Sequence, residues 1–459
     1  MEIKTYQKFL AAKAQGDKAL MSFILGAIEE HRSSKAYKFA VDAEEYYNGL
    51  NPTINRYQKL LYDLQGNAHK DVWTANAKLA SPFFGMAVDQ AVSYLLGNGV
   101  TFAKDDTAGK LCPDFDREVM DAARAAKIAG VSFGFWDLKH LRVFSLLEFV
   151  PLYDGETGAL MSGIRFWQLD ESEPLRATLY EIDGFTEYHR PKNEDMSEMQ
   201  PKRAYKLNIR SSEIGETEIL NGENYPGFPI VPLKNNHNCL SDLAGRRNSI
   251  DALDVASSDM VNKVSEGDVI YWVLSNCEGM DDLDDAKFIE RLKTLHVAHA
   301  NGDGGAKAEA HTLDAPFEGT NATIDMLKKK LYEDFQCFDA SAISAGNQTA
   351  TAIKASYAPL DLKTDKFEAE VTRFIVGILQ IAGIDDQPSY TRNQIINKTE
   401  ETQSLLLGAQ YYDEEYITKK LLTINGDIDQ YEDMMRRKAA EELDRSIVET
   451  EQVIDNAEA

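Results

Sequence analysis

The feature that most constrains the fold is a pair of amphipathic helical patterns flanking a stretch of small residues between Thr320 and Gly383. In the first pattern, apolar side chains recur at steps of three and four, which places them on one helix face. Its members are Ile324, Leu327, Leu331, Phe335 and Phe338. The second pattern is a heptad-like stripe with Thr364 at its one polar position, formed by Ile353, Tyr357, Leu360, Phe367, Val371, Phe374, Ile378 and Ile381. We predict two packed helices.

The segment between these helices, DASAISAGNQTAT (Asp339–Thr351), consists mostly of Ala, Ser, Thr and Gly and carries almost no charge. Such a segment buries little apolar surface, so we expect an exposed and mobile loop. In the helix that follows, Pro359 is expected to produce a kink, because proline lacks an N–H and clashes with the preceding turn. The kink can mark an opening that the helix lines, or it can be a local irregularity without function.

Length and composition indicate a folded protein with several packed modules. The chain has 459 residues, of which 43% are hydrophobic, and a single hydrophobic core rarely serves more than roughly 250–300 residues. No apolar run approaches the ~20 residues of a membrane span, and the first residues lack a signal-peptide core. We expect a soluble protein that is cytoplasmic when made. The cysteines are too far apart for a CxxC pair, so reduced and mostly buried thiols are expected at Cys112, Cys239, Cys277 and Cys337.

The net charge of −26 argues against a protein that grips nucleic acid through its phosphates, since such proteins carry basic patches. The chain either does not contact nucleic acid or contacts it without binding it tightly. A basic triplet, Lys328–Lys330, lies on the polar side of the first helix described above. It is either a solvated face or a nucleic-acid contact.

The N-terminal half is predicted to combine helices with an antiparallel β-rich unit. From Gly130 to about residue 190, short β-prone runs alternate with Gly and Asp-Gly turns, and a further strand is expected near Tyr205–Ile209. Residues 1–60 are predicted to be helical. Two further helices are predicted at Ser81–Leu96, with Ser81 as N-cap, and at Asp114–Ala129.

A module of about 50 residues, Tyr271–Gly319, separates a helix over 248–267, capped by Asn248 or Ser249, from the helix over 320–338. We expect these two helices to run as a pair with the module at their far end. Inside the module we predict a strand over Ile270–Leu274, and a hairpin whose arms LHVAHA and AEAHTLD flank the turn NGDGG. The chain is expected to finish in helices and an acidic tail.

Two groups of residues in this module suggest metal binding. The acidic run DDLDD (Asp281–Asp285) is either a divalent-cation cluster of a nuclease or the acidic start of a helix, which the helix dipole favours. His296, His299 and His311 are the second group. Residues three apart on a strand point to opposite faces, so His296 and His299 do not easily share an ion. We expect solvated histidines, and neither a metal nor a cofactor.

The order of these blocks resembles that of the portal (head–tail connector) proteins of tailed bacteriophages, of the siphophage and prophage type found in Gram-positive hosts. The similar blocks are EEYYNGLNPTINR, NAKLASPFFGMAVDQAVSYLLGNGVTF, AKIAGVSFGFWDL, LLEFVPLYDGETGALMSGIRFW, FPIVPLKNN, SDLAGRRNSIDALDVASSDMVNKV, GNQTATAIKASYAPLDLKTDKFEAEVTRF and LGAQYYDEEYITKKLLTINGDIDQYEDMMRRKAAEE. One departure is Gln348-Thr349-Ala350, where members of the family often have Ser-Gly.

The resemblance implies an α+β, mainly helical portal fold with an α/β wing, a two-helix stem, a small α/β clip, a long kinked tunnel helix and a helical crown. Its parts in this sequence are the wing (1–247), the first stem helix (248–270), the clip (271–319), the second stem helix (320–338), the tunnel loop (339–350), the tunnel helix with wing (351–389) and the crown (390–459).

The resemblance further implies a non-enzymatic ring, usually of twelve subunits, through which double-stranded DNA passes at one capsid vertex during packaging and ejection. Its implied partners are the terminase large subunit, head–tail adaptor, major capsid and scaffolding proteins, and its implied location is the virion after assembly in the host cytoplasm. Candidate channel residues are Asp339, Ser341, Ser344, Gly346, Asn347, Gln348 and Thr349 of the loop, Lys354, Lys363 and Lys366 of the tunnel helix, and Lys328, Lys329 and Lys330 of the stem. The candidate partner surface of the clip comprises Asp281, Asp282, His299 and Asp303.

Two rival hypotheses come from other classes of protein. The first is a metal-dependent nuclease or hydrolase that uses Asp281–Asp285, which predicts cleavage that depends on Mg²⁺ or Mn²⁺. The second is an acidic scaffold that binds only protein. That scaffold predicts no defect in DNA packaging when residues 339–350 are shortened.

Overall fold

The computed structural model describes residues 6–62, 66–71, 75–104, 106–211, 217–266, 271–275, 307–311, 317–341, 350–393 and 398–440. The chain divides into two compact units. The first comprises Met1–Phe338 and Pro359–Arg392, and the second comprises Asp339–Ala358 and Asn393–Ala459. Both helices and strands are present, and helices predominate, as the resemblance implies.

The helices of the first unit follow the apolar patterns of the sequence closely. They are α1 (Tyr6–Ala14), α2 (Asp17–Ser33), α3 (Lys35–Tyr47), α4 (Pro52–Arg56), α5 (Phe83–Leu96), α6 (Thr107–Lys110), α7 (Phe115–Ala129), α8 (Arg247–Glu266) and α9 (Phe317–Phe335). A tenth helix, α10 (Ala350–Ala382), starts in the second unit and continues into the first from Pro359 onward.

The described strands form small antiparallel sheets. The strands are β1 (Leu60–Tyr62), β2 (Ala68–Lys70), β3 (Val100–Phe102), β4 (Val131–Asp137), β5 (His140–Ser145), β6 (Phe149–Tyr153), β7 (Leu160–Trp167), β8 (Leu175–Glu181), β9 (Gly184–Arg190), β10 (Ser197–Arg203), β11 (Lys206–Ser211), β12 (Thr217–Glu223), β13 (Ile230–Lys234), β14 (Tyr271–Ser275), β15 (Lys307–His311) and β16 (Pro388–Tyr390). The largest sheets have the orders β10-β9-β8-β7-β6 and β13-β4-β5. The β-rich unit predicted from Gly130 to about residue 190 is confirmed.

The five-stranded sheet packs against the two N-terminal helices. Phe9 of α1 and Ile24 and Ile28 of α2 are buried in one cluster with Ile164 of β7 and Leu179 of β8. Ala177 and Leu179, two residues apart on β8, lie in this cluster, whereas Tyr180 lies in another, so one face of the sheet packs on the helices. The N-terminal helices therefore belong to the β-rich part of the molecule.

The largest core joins α5, α7 and α10 to the three-stranded sheet. Val371, Phe374 and Ile378 of the predicted stripe on α10 are fully buried in it. The ring of Phe374 lies so close to Gly134 of β4 that a Cβ atom there would approach it to 2.5 Å. Gly134 therefore allows the helix to contact the strand directly, and the apolar stripe of α10 is part of the core.

Helix ends agree less well with the predictions than helix interiors do. Gly130 ends α7 with φ 92°, as expected of a C-terminal glycine. The predicted N-cap Ser81 is wrong, because Pro82 occupies the N-cap position of α5, while the Ser81 N–H donates to Asp254. Asn248 is not an N-cap either, since α8 begins at Arg247.

The second unit is described as helices. They are α11 (Lys398–Gly408), a 3₁₀ turn (Ala409–Tyr411), α12 (Glu414–Asn425), a 3₁₀ turn (Ile428–Gln430), the helical residues 431–440 and the start of α10. Asp413 caps α12 by accepting from the Tyr416 N–H at 2.7 Å. Gly426 ends that helix in the left-handed conformation. The helical end of the chain is thus as predicted up to residue 440.

Candidate functional site

The helices on either side of the predicted module pack against each other. α8 contacts α9, and the strand that follows α8 pairs with the strand that precedes α9. In this pairing Tyr271 lies opposite His311 and Ser275 opposite Lys307. The two ends of the module therefore lie side by side. This arrangement agrees with the expected pair of helices that has the module at its end.

This pairing was not predicted from the sequence, and the hairpin between LHVAHA and AEAHTLD stays a prediction. The second arm of the predicted hairpin covers residues 308–314, and its first four residues pair with Tyr271–Leu274. The other arm, with His296 and His299, lies outside the described residues. So do the acidic run 281–285 and the candidate partner residues Asp281, Asp282, His299 and Asp303. The partner of β15 is a strand that is distant in sequence, and turn residues near β15 do not identify such a partner.

The end of α9 is held by the backbone geometry of a Schellman motif. Gln336 adopts φ 54°, its N–H donates to the carbonyl of Glu333, and the Cys337 N–H donates to the carbonyl of Tyr332. These bonds satisfy carbonyls that a helix end leaves without partners. Phe338 was predicted on the helical stripe, but it lies beyond this turn.

The residue after the turn is clamped by a side chain of α5. The amide of Gln90 donates to the Phe338 carbonyl and accepts from the Phe338 N–H, both at 2.9 Å. The side chain of Phe338 is buried. The backbone is therefore fixed at the point where the small-residue segment begins.

A buried charge cluster lies beside this point. The carboxylate of Asp242, just before α8, lies 2.8 Å from Nζ of Lys363 on α10 and 3.7 Å from Nζ of Lys127 on α7. Lys363 also donates to the carbonyl of Phe335 at 3.0 Å. Asn235 donates to Asp242 at 2.8 Å. One carboxylate thus joins the segment before α8 to α7 and α10, and Lys363 extends the link to the end of α9.

The cluster contains two cations and one anion, and it is nearly inaccessible to water. The exposed fractions of the Lys127 and Lys363 side chains are 2% and 9%. Burial lowers the pKa of Lys127 to about 8, although the attraction of Asp242 opposes this. Burial alone would raise the pKa of Asp242, but the ammonium groups of Lys127 and Lys363 outweigh it and hold that pKa below its usual range. The ring of Phe367 lies 3.9 Å from the Lys127 ammonium.

The structure therefore assigns Lys363 a different role from the one predicted. As a DNA-facing residue it would need a free ammonium group, whereas its Nζ is held inside the protein by Asp242 and by the carbonyl of Phe335. Lys354 and Lys366, the other candidates on α10, are exposed. Lys328, Lys329 and Lys330 of α9 are exposed as well, and Lys330 pairs with Asp334 at 3.0 Å.

The small-residue segment is described only at its start. Asp339 accepts hydrogen bonds from the backbone N–H of Ser341 at 3.0 Å and from its hydroxyl at 2.6 Å. Residues 340–341 are helical, so the described start of the expected loop is helical and is capped by Asp339. The candidate residues Ser344, Gly346, Asn347, Gln348 and Thr349 lie outside the described residues.

A polar ladder on α8 is a feature that the sequence analysis missed. Asp254, Ser258 and Asn262 are four residues apart and buried, and they accept from the backbone N–H groups of Ser81, Leu79 and Ala77 at 2.8, 2.9 and 2.7 Å. Four residues rise about 6 Å along a helix, close to the rise of two residues in an extended chain. The matching repeat lets an extended segment lie along α8. The i, i+4, i+8 spacing of the three polar residues was a signal in the sequence.

The ladder also carries a perturbed carboxyl group. Burial raises the pKa of Asp254 to about 6, although hydrogen bonds from Asn51 and Ser81 oppose the rise. The Asn51 amide donates to the second carboxylate oxygen of Asp254. The ladder thus ties α8 to the start of α4 as well as to the segment before α5.

Within the described part of the chain, one group of three potential metal ligands lies close together, Cys112, Glu118 and His140. It does not coincide with either group that the sequence suggested. The backbone of His311 lies on β15, whereas His296 and His299 fall outside the description. Among the described residues no helix is long and apolar enough to cross a membrane.

Comparisons with known proteins agree over most of the chain. The family model described as "Phage portal protein, SPP1 Gp6-like" matches residues 29–446. The portal protein of Bacillus phage SPP1 is 24% identical over 414 residues, which cover 83% of this chain and 78% of that protein. The portal protein of Clostridium phage phiCD119 is 29% identical over 186 residues, which cover 39% of this chain and 41% of that protein.

Proposed function

The chain belongs to the SPP1 Gp6-like family of phage portal proteins, and we propose that it forms a ring at one vertex of a phage capsid and conducts double-stranded DNA. The ring would contain about twelve copies, as the family resemblance implies. Its location would be the virion, after assembly in the host cytoplasm. The observation that supports this proposal best is the family match together with the packed pair α8 and α9, whose flanking strands pair with each other.

In this proposal each part of the chain has a place in the ring. α8 and α9 serve as the stem, and residues 271–319 as the clip. Residues 339–350 form the tunnel loop, α10 the tunnel helix, residues 1–247 the wing and residues 390–459 the crown. The terminase large subunit and the head–tail adaptor would dock on the clip through Asp281, Asp282, His299 and Asp303, while capsid and scaffolding proteins would contact the outside of the ring.

The charge distribution suits a conduit. Phosphate contacts repeated around a ring add up and would hold DNA in place. A chain of net charge −26 with few exposed lysines on the relevant helices keeps such contacts scarce. Lys354 and Lys366 are exposed on α10 and are our candidates for transient phosphate contact. Lys363 is no longer a candidate, because Asp242 neutralises it inside the protein.

Electron microscopy of the purified protein tests the assembly. We expect rings with a central channel and a mass near twelve subunits, alone or with scaffolding protein present. Monomers or compact dimers under all of these conditions would contradict the proposal.

Packaging assays test the DNA path. Shortening residues 342–349 by four, and Lys354→Gln with Lys366→Gln, are expected to reduce DNA packaging while rings still form. The matched control for the substitutions is Lys192→Gln, which removes an exposed charge from the β9–β10 turn. Normal packaging in the loop variant would instead support a scaffold that binds only protein.

The rival enzymatic hypothesis is not favoured. Portal proteins are structural, and nothing in the comparisons indicates a catalytic function. A cleavage assay with Mg²⁺ or Mn²⁺, with Asp281→Asn/Asp284→Asn as control, is expected to show no nuclease activity.

A further inference from the structure

Three side chains with different metal-binding groups meet at the start of α7. Cys112 precedes this helix, Glu118 lies in its first turn and His140 begins β5. The thiol of Cys112 lies 3.2 Å from Oε2 of Glu118, and Nδ1 of His140 lies 3.3 Å from Oε1. One ligand atom from each residue can be chosen so that all three lie within 4.8 Å of one another.

We propose that Cys112, Glu118 and His140 bind one Zn²⁺ ion. A thiolate, an imidazole and a carboxylate together are typical zinc ligands, whereas Mg²⁺ and Ca²⁺ prefer oxygen alone. Zinc bonds of roughly 2.0–2.3 Å in tetrahedral geometry place ligand atoms roughly 3.3–3.6 Å apart. The separation of Cys112 from Oε2 and that of His140 from Oε1 each approach this range, so the thiol and the imidazole face the two oxygens of one carboxylate. The fourth position is left for water.

The surroundings hold two of the ligands in place before any ion arrives. The Leu141 N–H donates to Oε2 of Glu118 at 2.8 Å, and the Cys112 N–H donates to the carbonyl of Lys139 at 3.3 Å. Hydrogen bonds of this kind around a metal site orient its ligands. The remaining ligand can adjust, since 60% of the His140 side chain is exposed, compared with 16% for Glu118. Exposure on the His140 side also provides a route for the ion.

Charge favours a cation at this point. Cys112 is buried, and the carboxylates of Glu118 and Asp114 lie near it. Burial, together with Glu118, raises the pKa of the Cys112 thiol to about 11. The thiol is therefore protonated at neutral pH without a metal, and it donates to Glu118. On zinc binding the thiol would lose that proton to solvent, and the thiolate would take its place as a ligand.

The proposed ion would fasten the segment before α7 to the β4–β5 hairpin. Both elements border the largest core, through Cys112 itself and through Leu141 of β5. This role is independent of DNA conduction. It predicts a protein whose thermal stability rises with zinc.

Metal analysis of protein purified without chelators tests the proposal. We expect one Zn²⁺ per chain, a higher melting temperature with Zn²⁺ but not with Mg²⁺, and, after exchange for Co²⁺, a thiolate-to-cobalt absorption band. Cys112→Ser and His140→Asn are each expected to weaken zinc binding by at least about tenfold. Cys239→Ser removes a half-buried thiol elsewhere and is expected to bind like the wild type.

Because His140 is exposed, His140→Asn is expected to fold even where Cys112→Ser does not. Zinc binding by His140→Asn and Cys112→Ser with wild-type affinity would overturn the proposal. So would a wild-type protein that takes up no zinc, in which case the three residues form only a hydrogen-bonded latch.

Discussion

The ammonium group of Lys363 lies 2.8 Å from the carboxylate of Asp242, although 121 positions separate the two residues in the sequence. Asp242 precedes α8 and Lys363 lies on α10, and the same Nζ donates to the last residue of α9. Lys363, which the sequence suggests to be a surface lysine, therefore connects the helices that we propose as stem and tunnel helix.

Asp242→Asn is expected to be the most destabilising change in this cluster, because it leaves two buried ammonium groups without a carboxylate. Removing one partner of a buried pair costs about 3–5 kcal/mol of unfolding free energy. Lys363→Met leaves one cation and one anion, and we expect a loss of roughly 1–3 kcal/mol from the unpaired Phe335 carbonyl. Thermal denaturation checks this order, with Lys366→Met as an exposed control on the same helix. An Asp242→Asn protein as stable as the control would contradict it.

Lys127 is expected to make stability depend on alkaline pH. Its pKa is about 8 in the folded protein, below the ordinary 10.5. Between these values the unfolded chain binds more protons at this side chain than the folded protein does, so its contribution to stability rises with pH. Below the folded pKa the penalty of the buried charge is fully present. The melting temperature of the wild type relative to Lys127→Met should therefore increase from about pH 7 to about pH 10; a constant difference would refute this.

Thr364→Val is expected to stabilise the protein. Thr364 is 2% exposed, and among the described residues its hydroxyl has no hydrogen-bond partner. A methyl group in place of an unpaired buried hydroxyl should add about 1 kcal/mol to the unfolding free energy, since Val and Thr have similar helix propensities. Thr364→Ser keeps the hydroxyl, loses a methyl and should destabilise by about 1 kcal/mol. Equal melting temperatures for the two variants would show that the hydroxyl is satisfied.

Loss of the polar ladder on α8 should release the segment before α5. Ser258→Ala and Asn262→Ala each leave a backbone N–H of residues 77–81 without its acceptor, at about 1–3 kcal/mol of local stability. Hydrogen exchange followed by mass spectrometry should show faster exchange in this segment. The Ser257→Ala variant, changed at the position just before Ser258 on the same helix, should exchange like the wild type. If it exchanges as fast as the Ser258 variant, the ladder is not what protects the segment.

The spacing of apolar residues predicted the helices well, because that spacing reflects which face of each helix is buried. The stripe from Leu360 to Ile378 is core, and Gly130 ends α7 as expected. The position of Lys363 in the sequence could have indicated that it is partly buried. It lies three residues after Leu360 and four before Phe367, which places it on the edge of the apolar stripe. Its partner could not be predicted, because the contact with Asp242 depends on how distant elements pack.

Strand pairing was the other limit. The turn NGDGG predicted a local hairpin, but it gave no indication that Lys307–His311 pair with Tyr271–Ser275. Turn residues report which conformations the backbone tolerates nearby. The pairing of β14 with β15 instead depends on α8 and α9, because the packing of these helices brings the two strands together.

The pairing of β14 with β15 has an evolutionary consequence. Because Ser275 and Lys307 lie opposite each other on paired strands, the length and composition of the sequence between them can change while α8 and α9 stay packed. Under the function proposed above, this segment carries the docking surface for the packaging motor and the tail. That surface could then change in evolution without changes in α8 and α9.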